Sequence, residues 1–474
     1  MSLLSINGYG ICKEKNEKNI INELKKELTM NPVVNFSIVG NSEKVFPIYL
    51  ENDKRLYIPR FFGLQKYGLP QKCTLSPGIH CENMIFEGTL REQQLEPVNN
   101  FIEVASNPLK RGGIISVPCG FGKTIMSVYI ACHFKKKTMF VSHKDFLNQQ
   151  FIETVKKFVP NAKIGIIKQK KVDTKDKDFV IASLQSLAMR DYDMDIFKEF
   201  GLVIIDEVHH LGAEVFCRAF QKLNVSMILG LSATLNRKDG MRKVFEYYIG
   251  KSVYKHVVKE KTDVNIEVHK YFDPCIEYSK NVLLWNGKPN NATMISNICS
   301  FKPRNDYIIK VLQRVLNKDI DRKVLVLSER RQQLVAIEEL VLLNKISDHV
   351  GYYVGGMTQT QLDESSKKQI IMATYQMAAE GMNIPSLNTV IFASPISDVQ
   401  QSLGRILREK HSERKYIPLC IDIWDEFSIF IRKGYTRIKY YKNNEYKIQY
   451  MIDDEVIPTS IKKDEKTKYE FIED

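Results

Sequence analysis

An α/β architecture is expected: two parallel-sheet units in tandem, a small domain before them and a basic C-terminal extension after them. The expectation rests on short apolar runs that alternate with helical pattern, and on a glycine loop that joins one such run to a helix. The runs 114–117, 138–141, 179–182, 202–205 and 227–231 are nearly continuous and bounded by polar, Gly or Pro residues. Strands buried on both faces of a parallel sheet read this way. A second set, 324–327, 351–354, 369–373 and 389–392, follows with helical pattern between its members. Repeated strand–helix alternation implies two successive α/β units.

The first 85 residues lack this alternation and are interrupted by Pro32, Pro47, Pro59, Pro70 and Pro77, so residues 1–85 are expected to form a separate N-terminal domain. Residues 86–250 then make the first unit and 305–430 the second. Residues 251–304 fit neither series and are expected to bridge the units or carry an insertion. Residues 431–474 read as a basic, tyrosine-rich tail.

A chain of 474 residues is too long for one ordinary core, and 44% hydrophobic with 26% charged residues is a globular composition. Sixty-nine Lys and Arg against 56 Asp and Glu leave a formal charge of +13. That surplus favours a polyanionic partner. A membrane is not expected, because no run approaches the ~18 apolar residues that a spanning helix needs. The polar N-terminus lacks an apolar signal core, which implies intracellular residence. The nine cysteines are scattered with no C-x-x-C pair, so reduced thiols are expected, with neither zinc nor disulfides.

The run Ile114-Ile115-Ser116-Val117 leads into Pro118-Cys119-Gly120-Phe121-Gly122-Lys123-Thr124 and then into helical pattern. Glycines let backbone N–H groups wrap a phosphate while the helix N-terminus adds partial positive charge. Lys123 would reach the β and γ phosphates, and the Thr124 hydroxyl would ligate Mg²⁺. Val117 stands where the strict phosphate-loop pattern has its first glycine. Downstream, Leu202-Val203-Ile204-Ile205 ends in Asp206-Glu207-Val208-His209, two carboxylates at the C-terminal edge of a buried strand. Asp206 can hold magnesium through its hydration shell, and Glu207 can orient and deprotonate an attacking water.

These residues resemble the Walker A and Walker B motifs of superfamily 2 DExH-type helicases, and further motifs follow in order. Phe86 to Gln94 resembles the upstream Q-motif region, which would place Gln94 on the adenine edge. Phe140 to Asn148, with Ser142 and His143, resembles motif Ia, and Ser183-Leu184-Gln185-Ser186 the next segment that contacts nucleic acid. Ser232-Ala233-Thr234 resembles motif III, which couples the ATP state to the nucleic-acid grip, as His209 would from the Walker B side. Val324 to Arg330 resembles motif IV, and Ala373-Thr374 through Gly381-Met382-Asn383 resembles motif V, with Asn383 where many members have Asp. Gln401-Ser402-Leu403-Gly404-Arg405-Ile406-Leu407-Arg408 reproduces motif VI, whose arginines resemble arginine fingers. The resemblance covers residues 86–408 and implies two tandem RecA-like lobes, ATP and Mg²⁺ as cofactors, and an ATP site complete within one chain.

Arg237-Lys238-Asp239 after Ser-Ala-Thr resembles the R-E-D tripeptide of the XPB-like group, with Lys in place of Glu. The segments Phe46 to Tyr49 and Tyr57 to Gly63 resemble poxviral and large-DNA-virus transcript-release helicases. The implied activity is ATP-dependent movement on or unwinding of DNA, in viral transcription or in repair. Transcription machinery would then be a partner, and host cytoplasm, viral factory or virion the location. An RNA helicase and a catalytically silent nucleic-acid scaffold are the alternatives.

Two basic regions remain. Residues 156–178, rich in lysine and without arginine, read as a solvated loop. Between 432 and 447, Arg432, Lys433 and Lys439 stand among Tyr440, Tyr441 and Tyr446. Cations there could neutralise phosphates while tyrosines stack on bases, or the tyrosines could pack on the second unit.

Overall fold

The computed structural model describes residues 2–31, 45–108, 110–118, 120–208, 213–223, 225–233, 241–256, 263–380, 382, 384–409, 413–452 and 455–456. The chain divides into two compact units, Met1–Val257 and Val258–Asp474.

The first unit is built on an eight-stranded sheet. Its spatial order is Lys171–Asp173, Ile164–Lys168, Phe179–Ser183, Thr138–Ser142, Leu202–Ile205, Met227–Ser232, Gly112–Ser116 and Ser252–Lys255. Every pairing is parallel except the edge hairpin of Lys171–Asp173 on Ile164–Lys168. Alternate side chains enter opposite faces. Ile114, Met139, Val141, Val180 and Val203 pack on one side, and Ile115, Phe140, Ile181, Leu202 and Ile204 on the other, against Phe101, Met126, Ile130 and Phe151. The lysine-rich region expected as a loop supplies the edge hairpin, with Lys168 paired to Asp145 at 2.7 Å.

Residues 1–85 have a five-stranded sheet of their own, ordered Leu50–Glu51, Arg55–Ile58, Gly8–Cys12, Leu3–Ser5 and Lys72–Cys73. Its apolar face does not close on itself. Tyr9, Ile11, Leu56 and Ile58 share one core with Ile114 and Met139 of the larger sheet and with Phe245 of the helix Arg242–Ile249. Buried Arg60, on the helix Arg60–Tyr67, donates to the carbonyls of Val225 at 2.9 Å and Ser226 at 3.0 Å.

The second unit repeats the plan in the order Val350–Tyr353, Ile370–Thr374, Val324–Ser328, Thr389–Phe392, Leu419–Asp425, Asn265–Tyr271, Lys447–Ile452 and Glu455–Val456. Residues 251–304, expected to bridge or insert, instead give the first sheet its edge strand Ser252–Lys255 and the second sheet the internal strand Asn265–Tyr271. The expected tail is likewise part of the fold as far as it is described. Its helix, Ser428–Asn443, lies on the sheet, and Lys447–Ile452 pairs with Asn265–Tyr271.

Two ion pairs hold these late elements. Asp422, 1% exposed, takes Arg437 Nε at 2.8 Å and Nη2 at 2.7 Å, and accepts the Tyr441 hydroxyl at 2.9 Å. Asp425 takes Arg304 Nε at 2.6 Å and Nη2 at 2.9 Å, and accepts the Tyr278 hydroxyl at 2.8 Å. Removing one member of such a pair leaves a buried charge without its counterion. Asp422→Ala should therefore destabilise the protein by about 3–5 kcal/mol in chemical denaturation. The apolar double variant Asp422→Leu/Arg437→Met should recover most of that loss, and equal stability of both variants would remove the pairing argument.

Candidate nucleotide site and nucleic-acid face

Parallel register sets the strand ends level. Ser116 stands opposite Ser232, and Ser142 opposite Ser183. Asp206 follows the last residue of Leu202–Ile205, so these polar residues gather along one edge of the first sheet.

The phosphate-type loop leaves that edge after Gly112–Ser116. The Val117 N–H donates to the Ser232 carbonyl at 3.0 Å, which ties the start of the loop to the neighbouring strand. Gly120 at φ 84° and Gly122 at φ 93° lie in the left-handed region, where only glycine is unstrained. The helix Lys123–Phe134 then begins at Gly122 without a side-chain cap, so its first-turn N–H groups face the loop. Buried Gln94 donates from Nε2 to the Phe121 carbonyl at 2.7 Å and accepts the Arg91 N–H at 2.9 Å. A Cβ at Gly122 would come within 2.2 Å of Gln94 Nε2. Gln94, expected on the adenine edge, thus braces the loop from behind, a role that spacing in the sequence did not reveal.

Glu207 sits in the left-handed region at φ 50°, a strained conformation for a side chain of this kind. The turn places its carboxylate against Lys123, with Nζ to Oε1 at 2.9 Å and both side chains mostly buried. The Glu207 N–H donates to Asp206 Oδ1 at 2.9 Å. Burial, reinforced by the Glu207 carboxylate, lifts the Asp206 pKa from 3.8 to about 7, against the pull of Lys123. Two carboxylates thus stand beside the Lys123 ammonium in a largely buried site. A hard divalent cation suits a carboxylate and a hydroxyl, so Asp206 and Thr124 fit Mg²⁺, which would supply charge compensation to a bound polyphosphate.

The raised Asp206 pKa has a thermodynamic sign. The folded protein binds the Asp206 proton more tightly than the unfolded chain does, so stability falls as pH rises from about 4 to 7 and stays lowered above it. Asp206→Asn should lack this loss. Its Tm should exceed that of the parent at about pH 8 by several degrees, with the gap closing near pH 4. A gap independent of pH would contradict the buried-charge account.

Further along the edge, the Gln185 side chain donates to the His143 carbonyl at 3.3 Å and the Ser183 hydroxyl donates to Gln185 Oε1 at 3.2 Å. Two segments far apart in sequence are thereby joined. Ser142 is buried and donates to the Lys144 carbonyl at 3.0 Å, so its hydroxyl shapes the turn.

In the second unit Thr374 stands opposite Ser328 at the strand ends. Thr374 lines a cavity of about 490 Å³ with Glu329, Arg330, Arg331, Gly355, Tyr375, Gln376 and Met377. The run Glu329-Arg330-Arg331 after an apolar strand was its signal in the sequence. Arg405 is buried and donates from Nη1 to the Met382 carbonyl at 2.7 Å. It lies in a 3₁₀ turn, Gly404–Leu407, with half-buried Arg408 just after it and Gln401 on the short preceding helix Gln400–Leu403. Residues three apart eclipse in such a turn, so the two arginines share a side, and both act electrostatically on Tyr353.

Of the two readings of the tyrosines, base stacking is ruled out for Tyr441, which is fully buried on Asp422 and packs within the second unit. Half-buried Tyr440 packs on Tyr441 and Tyr446, and Lys433 is held by Asn291 at 2.8 Å. Arg432 and Lys439 are exposed. Cys119, His209, Thr234, Arg237, Gly381 and Asn383 lie outside the described residues.

Two parallel-sheet units, the first ending in a glycine loop and a paired-carboxylate turn, define a nucleotide-hydrolysing motor. The family model described as the type III restriction enzyme res subunit matches residues 87–237, and that of the helicase conserved C-terminal domain matches residues 306–410. A putative ATP-dependent RNA helicase of Acanthamoeba polyphaga mimivirus is 36% identical over 451 residues, covering 93% of this chain and 85% of the relative. A probable helicase of Escherichia phage T5 is 26% identical, covering 81% of each chain. The fragment structure of a putative HsdR subunit of a type I restriction enzyme from Vibrio vulnificus shares the fold at 16% identity. Its TM-score is 0.54, over 80% of this chain and 72% of that one. The chain belongs to the superfamily 2 helicases, with two RecA-like lobes, and is a nucleic-acid-dependent ATPase that uses ATP with Mg²⁺.

Proposed function

We propose that ATP hydrolysis here drives movement on or unwinding of DNA, within viral transcription including transcript release, or in repair. The observation that carries the catalytic reading is the Lys123–Glu207 pair beside buried Asp206 at the mouth of the glycine loop. A triphosphate entering the loop would compete for the Lys123 ammonium and release Glu207. The freed carboxylate would then orient the attacking water and take its proton as the water oxygen bonds to the γ-phosphorus and the bond to ADP breaks. Thr124 and Asp206 would hold Mg²⁺. Arg405 and Arg408 would stabilise charge on the transferring phosphoryl group, as cations do in this chemistry.

The DNA preference is supported by the resemblance of Arg237-Lys238-Asp239 to the tripeptide of the XPB-like group, while the phage relative, a probable helicase, is named for neither polymer. An RNA helicase is the second reading, favoured by the mimivirus relative, which is named a putative ATP-dependent RNA helicase.

Steady-state ATPase at low salt separates them, with no polymer, single-stranded DNA, duplex DNA and RNA in parallel and Lys123→Ala as the blank. Stimulation by DNA alone is expected; stimulation by RNA alone would transfer the assignment. Glu207→Gln should lower turnover by at least about 10²-fold while ATP still binds. Unchanged hydrolysis in that variant would remove Glu207 from its role.

A further inference from the structure

Between the strand Asn265–Tyr271 and the helix Asn291–Ser300 lies a short hairpin that no motif covers. Leu283 bridges Pro289, the Leu284 N–H donates to the Lys288 carbonyl at 2.7 Å, and the Gly287 N–H returns to the Leu284 carbonyl at 2.9 Å. Gly287, at φ 76°, takes the left-handed position that closes the turn. Trp285 sits at the tip with 86% of its surface exposed. Phe272, Ile276 and Leu283, also exposed, stand in the same segment. A monomer gains nothing from holding an indole in water, so the exposure calls for an occupant.

The hairpin is a fixed platform. Val282 packs at its root on a small core containing Tyr278, Met294 and Ile295. Ser428 donates to Asn281 Oδ1 at 3.1 Å, and the Asn290 N–H donates to the Val282 carbonyl at 2.7 Å. The next helix is tied to the cavity that Thr374 lines. Arg330, one wall of that cavity, donates from Nη2 to the Ala292 carbonyl at 3.0 Å and from Nε to Ser296 Oγ at 3.0 Å. An exposed aromatic tip is thereby anchored to a polar cavity at the strand ends. Lys280 and Lys288 flank the tip, and Glu277 is the one acidic residue between 276 and 290.

We propose that Trp285 is a base-stacking residue: an unpaired nucleobase of a single strand that passes the Arg330–Thr374 cavity stacks on its indole. The charge and the geometry favour this occupant over an apolar protein surface. Flanking lysines suit a phosphate backbone, and an aromatic face accepts any base, as a motor indifferent to sequence requires. A rigid platform also loses little conformational freedom when the base arrives. The proposal needs only that the protein binds single strands, whichever polymer it prefers.

The chain has two tryptophans, and the other, Trp424, is 4% exposed, so iodide-accessible emission reports Trp285. Fluorescein-labelled oligothymidine and oligouridine, titrated into the full chain, give binding by anisotropy while unlabelled copies give tryptophan emission. Binding should quench the emission and remove most of its iodide accessibility, leaving Trp285→Phe as the Trp424 background. Trp285→Ala should weaken oligonucleotide binding roughly 5- to 100-fold, and Trp285→Phe should restore much of it. Full binding with Trp285 emission and iodide accessibility unchanged would overturn the proposal and leave the nucleic-acid reading intact. Absence of binding by both oligonucleotides would overturn the proposal and the single-strand reading together.

Discussion

Parallel strand pairing is the constraint on which the rest depends. When neighbouring strands run the same way, every connecting loop at one edge follows a strand's C-terminal end, and every return crosses by a helix. Ser116, Ser142, Ser183 and Ser232 come level on the first sheet, and Ser328 and Thr374 on the second, although long stretches of chain separate them. The apolar run inside each strand and the polar residue at its end are two sides of one requirement. The strand must be buried on both faces, and the site must begin where burial stops.

The two units treat buried acids in opposite ways. Asp422 and Asp425 each have a dedicated arginine and a tyrosine hydroxyl, so their charges are satisfied within the fold and stiffen it. Asp206 and Glu207 share one lysine, and burial lifts Asp206 to about 7. Buried carboxylates therefore diverge by the groups that surround them. The arginine-paired acids are held as architecture, whereas burial holds Asp206 toward its protonated form beside the glycine loop.

Legibility in the sequence follows the same division. Strands such as Leu202–Ile205 and Thr389–Phe392 were visible because their buried positions are filled almost entirely by apolar side chains. Leu419–Asp425 was hidden because Asp422 and Asp425 break its run, and their partners lie 15 and 121 residues away. Asn265–Tyr271 alternates polar and apolar residues and so did not resemble its neighbours, although its parallel pairing on both sides is unambiguous. The nucleotide site was legible because its chemistry is local: a glycine loop before a helix and an acid pair after a strand. The brace by Gln94 was not, since a 2.7 Å contact across 27 residues leaves no periodic trace.

Aromatic residues show how far composition reaches. Tyrosines among lysines and arginines near the C-terminus suggested a surface for bases, yet Tyr441 is enclosed because its hydroxyl completes the Asp422–Arg437 pair. An aromatic ring with a polar tip can serve a buried ion pair as readily as a nucleobase, and sequence alone does not choose. Trp285 differs in its backbone. A three-residue turn closed by a left-handed glycine carries the indole at its tip, where it is exposed. The ring is left in water while the base of its hairpin is anchored by hydrogen bonds and by the Val282 core, an arrangement opposite to that of Tyr441.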